Sequence, residues 1–116
     1  MCGQELIDSD RARARLAREA VAFAFDVSAE EISAPTRRSS RVAFARQVAM
    51  YLAHVAFELN LARVGQAFGR DRSTASHACQ IVEDRRDDPQ FDAWLDGLED
   101  CLRTAPDPRA DRMALP

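Results

Sequence analysis

The chain is 116 residues long, 47% hydrophobic and 30% charged, with a formal net charge of −3. That length holds one compact domain and excludes an enzyme built from separate cofactor and substrate halves, and the apolar content excludes wholesale disorder. All 16 basic residues are arginine, so a lysine-dependent phosphate-binding loop and a lysine Schiff base are both excluded.

Residues 1–8 read as an acidic N-terminal tail without a cationic flank, and no apolar stretch of roughly 18 residues follows anywhere. The expectation is a cytoplasmic, nucleoid-associated protein with no membrane partner. Cys2, Cys79 and Cys101 are odd in number and widely spaced, which suits a reducing compartment, with two buried thiols and one exposed at the terminus. The domain proper is expected over residues 9–103.

From Ser9 onward, Leu16, Ala20, Phe23 and Val27 step by four, three and four residues, which predicts an amphipathic helix capped by Ser9 or Asp10. Ser28, followed by Glu30 and Glu31, predicts a short second helix, since carboxylates suit the positive end of the helix dipole. It must stop before Pro35, which disfavours the α conformation in the residue ahead of it. Residues 35–40 then form a basic loop. The third helix is expected over residues 41–59, with Val42, Ala45, Val48, Leu52, Val55 and Leu59 on one stripe and Arg46, Gln47 and His54 off it.

Asn60 is a cap for a fourth helix over residues 61–68. Leu61, Val64 and Phe68 face inward there, and Gly65 permits close approach of another helix. Gly69 supplies the positive φ that ends it. Asp71 or Ser73 caps a fifth helix with Ala75, Ala78, Cys79 and Val82 inside. A last helix over residues 90–102 buries Phe91, Trp94, Leu95, Leu98 and Leu102, and residues 104–116 form a disordered tail. Aromatics and glycines are few, so the whole is an all-α fold of about six helices with a central helix-turn-helix.

Charge is unevenly distributed along this plan. Residues 37–72 carry seven arginines against two acids, whereas residues 73–116 carry five arginines against ten acids. A concentrated basic segment lets an acidic protein bind a polyanion, because charges beyond roughly 8 to 10 Å are screened. Polar side chains at the front of the fifth helix, after a glycine turn, fit the reading of DNA. No metal site is expected, because His77 and Cys79, two apart on a helix, diverge by about 200°. Catalysis is not expected either, for want of paired catalytic groups, and no cofactor is implied.

Residues 37–79, RRSSRVAFARQVAMYLAHVAFELNLARVGQAFGRDRSTASHAC, resemble the C-terminal DNA-binding domain (domain IV) of the bacterial replication initiator DnaA. The matching pieces are Ala45-Arg46-Gln47-Val48-Ala49-Met50-Tyr51-Leu52, Val64-Gly65-Gln66-Ala67-Phe68-Gly69-Arg70-Asp71, Ser73-Thr74 and His77-Ala78-Cys79, and the likeness extends over roughly residues 18–103. It implies double-stranded DNA as partner, with Arg38 entering the minor groove. Arg46 and Gln47 are implied at phosphates, and Asn60 and Leu61 offer backbone N–H groups to the phosphodiester chain. Arg70 belongs to the same DNA-binding set. Asp71, Arg72, Ser73 and Thr74 are implied at base edges in the major groove, and His77, one turn on, at a phosphate.

Four departures from the family pattern bear on the target sequence. One glycine, Gly69, precedes Arg70-Asp71 where the family has two; Arg72 stands in place of a histidine; Ala75 and Ser76 replace bulkier apolar residues; and His54 stands where a lysine or arginine is common. The reading is a sequence-specific duplex binder in transcription or replication-linked regulation, without ATPase activity, bound as a monomer. Two alternatives remain open: an antagonist competing for the initiator's boxes, and an adaptor recruiting RNA polymerase or another regulator through the acidic first and last helices.

Overall fold

The computed structural model describes residues 3–34 and 39–106, and among them every regular element is helical. In chain order these are α1 (Gly3–Phe25), α2 (Ala29–Ser33), α3 (Ser40–Ala56), α4 (Leu61–Phe68), α5 (Arg72–Arg85) and α6 (Pro89–Thr104). The expected all-α architecture with a central helix-turn-helix is therefore present.

The caps explain why the chain breaks where it does. Ser28 and Glu31 form a reciprocal capping box at α2, and Asn60 and Asp71 each accept a backbone N–H from the first turn of α4 and α5. Gly69 ends α4 in the left-handed conformation with φ of 69°, where a side chain would be strained. Pro89 opens α6 at a position where its missing N–H costs nothing.

α3 is the partition of the molecule. Apolar side chains are buried nearly all round it, from Val42 and Ala45 to Leu52 and Ala56, which is how a helix enclosed by others reads. One face, through Ala45, Val48, Ala49 and Leu52, packs with α1, Ile32 of α2, Val82 of α5, and Leu95 and Leu102 of α6. The other, through Met50 and Ala53, packs with Leu59, Val64, Ala75 and Ala78, so the helix-turn-helix is seated on a core of its own.

Five local expectations are corrected. α1 starts at Gly3 rather than Ser9, and Asp10 is a buried mid-helix residue whose carboxylate accepts two bonds from Arg63 of α4, at 2.7 and 2.9 Å. The inward face of α1 is Ala14, Ala17, Val21 and Ala22, while Phe23 is 91% exposed; small side chains allow the close approach of α3, and larger ones are displaced to the flanks. α3 ends at Ala56, and Leu59 is buried from the loop that follows. Trp94 stands 38% exposed at a rim, and Cys101 is exposed rather than buried.

Cys79 is half-buried, and burial, followed by the nearby Glu83 carboxylate, pushes its thiol up to about 11. It is thus a packing residue and a poor nucleophile. The residues of the proposed N-terminal tail from Gly3 to Asp8 are helical. Cys2 and the tail beyond residue 106 lie outside the described residues. Among the described residues no helix is long and apolar enough to cross a membrane.

Candidate nucleic-acid interface

The geometry begins at the turn between α4 and α5. The Gly69 N–H donates to Gln66 O and the Arg70 N–H to Gly65 O, at 3.2 and 2.8 Å, so a single glycine suffices to close the end of α4. Gly65 lies directly against this turn. A Cβ at that position would meet the backbone oxygens of Arg70 and Asp71 at 2.8 and 2.9 Å, closer than packed atoms tolerate, so its lack of a side chain sets how near α4 comes to the start of α5.

Asp71 is the N-cap of α5. Its Oδ1 accepts from Thr74 N at 2.8 Å and from the Ser73 hydroxyl at 3.0 Å. These bonds, Thr74's first, hold its carboxyl below the ordinary carboxylate range. The Oδ1 oxygen is thus engaged in the cap, while the residue as a whole stays exposed at the start of α5. Arg72, Ser73, Thr74 and, one turn later, His77 are exposed together on α5. Arg72 makes no contact with a protein partner among the described residues, so its guanidinium fork is available to a ligand.

The start of α4 lies in the same motif. Asn60 is exposed as the N-cap and accepts from Arg63 N at 3.0 Å. The Leu61 side chain packs on the core under the motif, leaving its backbone N–H as the group it can offer, one of the unpaired donors of a first helical turn. Gln47 is half-buried on α3. Arg38, the expected minor-groove residue, lies outside the described residues.

Arg46 is placed inside the protein. Expected off the buried stripe and at a phosphate, it points inward: its Nε donates to Ile32 O at 2.7 Å, and one terminal nitrogen lies 3.2 Å from both Glu31 O and Ala34 O. The last carbonyls of a helix carry partial negative charge and lack intrahelical donors, so a guanidinium satisfies them well. Arg70 joins it, donating to Ala34 O at 2.8 Å. Two residues of the expected DNA-binding set thus hold the chain at Ala34, immediately before residue 35.

Arg46→Met is accordingly expected to lower the unfolding free energy by about 1–2 kcal/mol in the absence of DNA, through the carbonyls left without their donor. A phosphate-contacting surface arginine would change it by less than about 0.5 kcal/mol. Urea denaturation of the two proteins separates these roles.

The basic segment is thus largely spent inside the protein. Arg46 and Arg70 bind carbonyls, Arg63 binds Asp10, and Arg41 donates to Phe25 O. Counting arginines along the chain could not reveal this, because each partner is distant in sequence. Among the described residues no group of three or more histidine, cysteine or carboxylate side chains is placed to hold a metal ion.

Two short helices across a left-handed glycine, the second presenting a polar, capped N-terminus and both seated on a supporting helix, define a helix-turn-helix protein. Residues 16–82 match the family of bacterial DnaA protein helix-turn-helix domains, and the chain belongs to that family. It is 36% identical over 97 residues to the chromosomal replication initiator protein DnaA of Levilactobacillus brevis, a match covering 82% of this chain and 21% of that protein. With the corresponding protein of Desulfotalea psychrophila it shares 33% identity over 103 residues, covering 88% and 20% respectively. The chain thus spans about a fifth of the length of these relatives.

Two solved structures share the fold. One, the crystal structure of a DNA replication initiation factor, has a TM-score of 0.76 and 28% identity, covering 86% of this chain and 31% of the other. The second is replication initiator DnaA bound to AMPPCP and single-stranded DNA, with a TM-score of 0.74 and 27% identity, covering 86% and 30%.

Proposed function

We infer that this chain binds double-stranded DNA in a sequence-specific way and serves transcription or replication-linked regulation, as a monomer on its site and without ATPase activity. One observation carries the reading: in a member of this family, Arg72, Ser73, Thr74 and His77 are exposed together at the capped start of α5, beside the start of α4. Inserted into a major groove, α5 would bring Arg72 to base edges, where a guanidinium can bond guanine O6 and N7 together. The exposed Asp71 carboxylate accepts from a cytosine or adenine amino group, and the Thr74 methyl touches a thymine methyl. Asn60 and Leu61, with Gln47 and His77, contact the phosphodiester chain, and Arg38 enters the minor groove. The internal engagement of Arg46 and Arg70 favours a supporting role for both.

Selection of bound duplexes from a random-site library tests this directly. A defined motif should be enriched, and affinity should fall steeply as salt rises, because bound arginines release counterions from the phosphates. Arg72→Ala should weaken binding to the selected site about tenfold and relax preference at one base position, since a bidentate contact is worth about 1–3 kcal/mol of discrimination. Absence of any enriched motif, together with binding indifferent to salt, would overturn the proposal. Competition with a DnaA initiator on one of that protein's own boxes distinguishes a regulator with its own target from an antagonist.

A further inference from the structure

Away from the helix-turn-helix turn, the end of α1, the start of α3, the end of α5 and the start of α6 enclose an open groove of about 570 Å³. Four rings form its wall as a chain of neighbours. Phe25 lies 5.9 Å from Phe44 and 5.6 Å from Trp94 between centroids, and Phe91 lies 5.7 Å from both Phe44 and Trp94. None of the four belongs to the fully buried core. The large side chains here line the groove without filling it.

Two guanidiniums border the same groove. Arg85 stands over the Phe44 ring at 4.5 Å and at 6.0 Å from Phe91, and Arg41 stands 5.7 Å from the Phe25 centroid. Neither makes a salt bridge among the described residues, whereas the adjacent Arg86 is surrounded by Asp92, Asp96 and Glu99. Arg85, stacked on a ring, keeps its N–H edge available, and Arg41, one of whose terminal nitrogens donates to Phe25 O, keeps its remaining N–H groups; such donors match a carboxylate in geometry and charge. The volume falls in the range of small-molecule sites, which are typically apolar with a few placed polar groups.

We propose that this groove is a binding site for a small planar aromatic carboxylate, its ring stacked among Phe25, Phe44, Phe91 and Trp94 and its anionic group held by Arg41 and Arg85. The charge complementarity selects an anion, the rings select a flat apolar body, and the size selects a free acid over a folded partner. The groove shares no lining residue with the proposed DNA-contacting set, so its test does not depend on DNA binding.

Trp94 is the single tryptophan, so its indole N–H resonance reports occupancy of this groove alone. The full chain is titrated with 1-naphthoate and, as the neutral counterpart, 1-naphthalenemethanol, by calorimetry and by that resonance. Saturable binding of naphthoate that shifts the Trp94 signal, with the alcohol at least about tenfold weaker, is expected from loss of a charge-assisted hydrogen-bonded pair. Arg85→Met and Arg41→Met, both at exposed positions, should each reduce naphthoate affinity several-fold. Phe23→Ser, which removes an exposed ring outside the groove, should leave it unchanged.

Binding that ignores charge, or that survives both arginine substitutions, overturns the proposal. So does saturation by peptides carrying an acid beside an aromatic residue when naphthoate fails to bind, which would make the groove a protein-docking surface. A thermal melt of each variant establishes that it is folded, and Arg85→Gln repeats the test if Arg85→Met is not.

Discussion

Gly65→Ala is expected to destabilise the protein by about 1–3 kcal/mol, although glycine to alanine inside a helix ordinarily stabilises by up to about 1 kcal/mol. The sign reverses because the new methyl would overlap the backbone of Arg70 and Asp71. Backbone cannot rotate away as the end of a long side chain can, so α4 and α5 must part. Gly97 on α6 supplies the internal control, since nothing lies within 4 Å of the Cβ it would acquire; Gly97→Ala should stabilise. Urea denaturation of the two variants should give shifts of opposite sign, and parallel stabilisation would refute the close approach. If α5 reads DNA, the folded Gly65→Ala protein should also bind its selected site more weakly, because the start of α5 is displaced while its side chains are intact.

The second large effect is expected at Arg86, where α5 ends. Its guanidinium is 16% exposed and reaches Asp92, Asp96 and Glu99 of α6 as well as the Tyr51 hydroxyl of α3, to which it donates at 2.8 Å. Tyr51 in turn donates to Glu83 at 2.8 Å. Burial pulls the Arg86 pKa down, but the bonds to Asp92, Tyr51 and Asp96 outweigh it and hold the pKa above its ordinary value. Arg86→Met should cost about 2–3 kcal/mol. That is below the roughly 3–5 kcal/mol of a fully buried pair, because the Asp92 and Asp96 carboxylates are 41% and 58% exposed and partly screened.

The same network has a signature at high pH. Burial, then the bond to Glu83, pushes the Tyr51 phenol up to about 12, against about 10 in an unfolded chain. A raised folded-state pKa means that this contribution is complete below pH 10 and is lost as pH climbs towards 12. Tyr51 is the single tyrosine, so phenolate absorbance follows it without interference. A midpoint near 10 in the folded protein would show the hydroxyl to be free of this network.

Several features were legible in the residues because their causes are local. Ser28, Asn60, Gly69 and Asp71 each act within three residues of themselves, and a cap or a left-handed glycine needs no knowledge of the rest of the chain. The inward positions of α4 and α5 were legible for a related reason. Val64, Ala75, Ala78 and Val82 all recur at helical spacing and all are buried.

In α1 the expected stripe is partly covered, Leu16 and Ala20 packing against the core while Phe23 lies outside it, because spacing alone does not say which of two stripes is buried most deeply. Leu16, Ala20 and Phe23 are as periodic as Ala14, Ala17 and Val21, and the choice went to the smaller set, which lets the helices approach closely. The aromatic groove was hidden for the opposite reason: Phe91 and Trp94 look like core until the space around them is known.

By themselves, the residues determined an all-α chain, the caps that open α2, α4 and α5, and membership of a family whose motif spans α3 to α5. Only the tertiary structure decided the employment of the arginines. A guanidinium on a long side chain settles wherever negative charge or an unpaired carbonyl is nearest in space, and Arg63 finds Asp10 across 53 positions of sequence while Arg46 turns to the end of α2. Such choices follow from packing that brings distant segments together, so no local pattern encodes them.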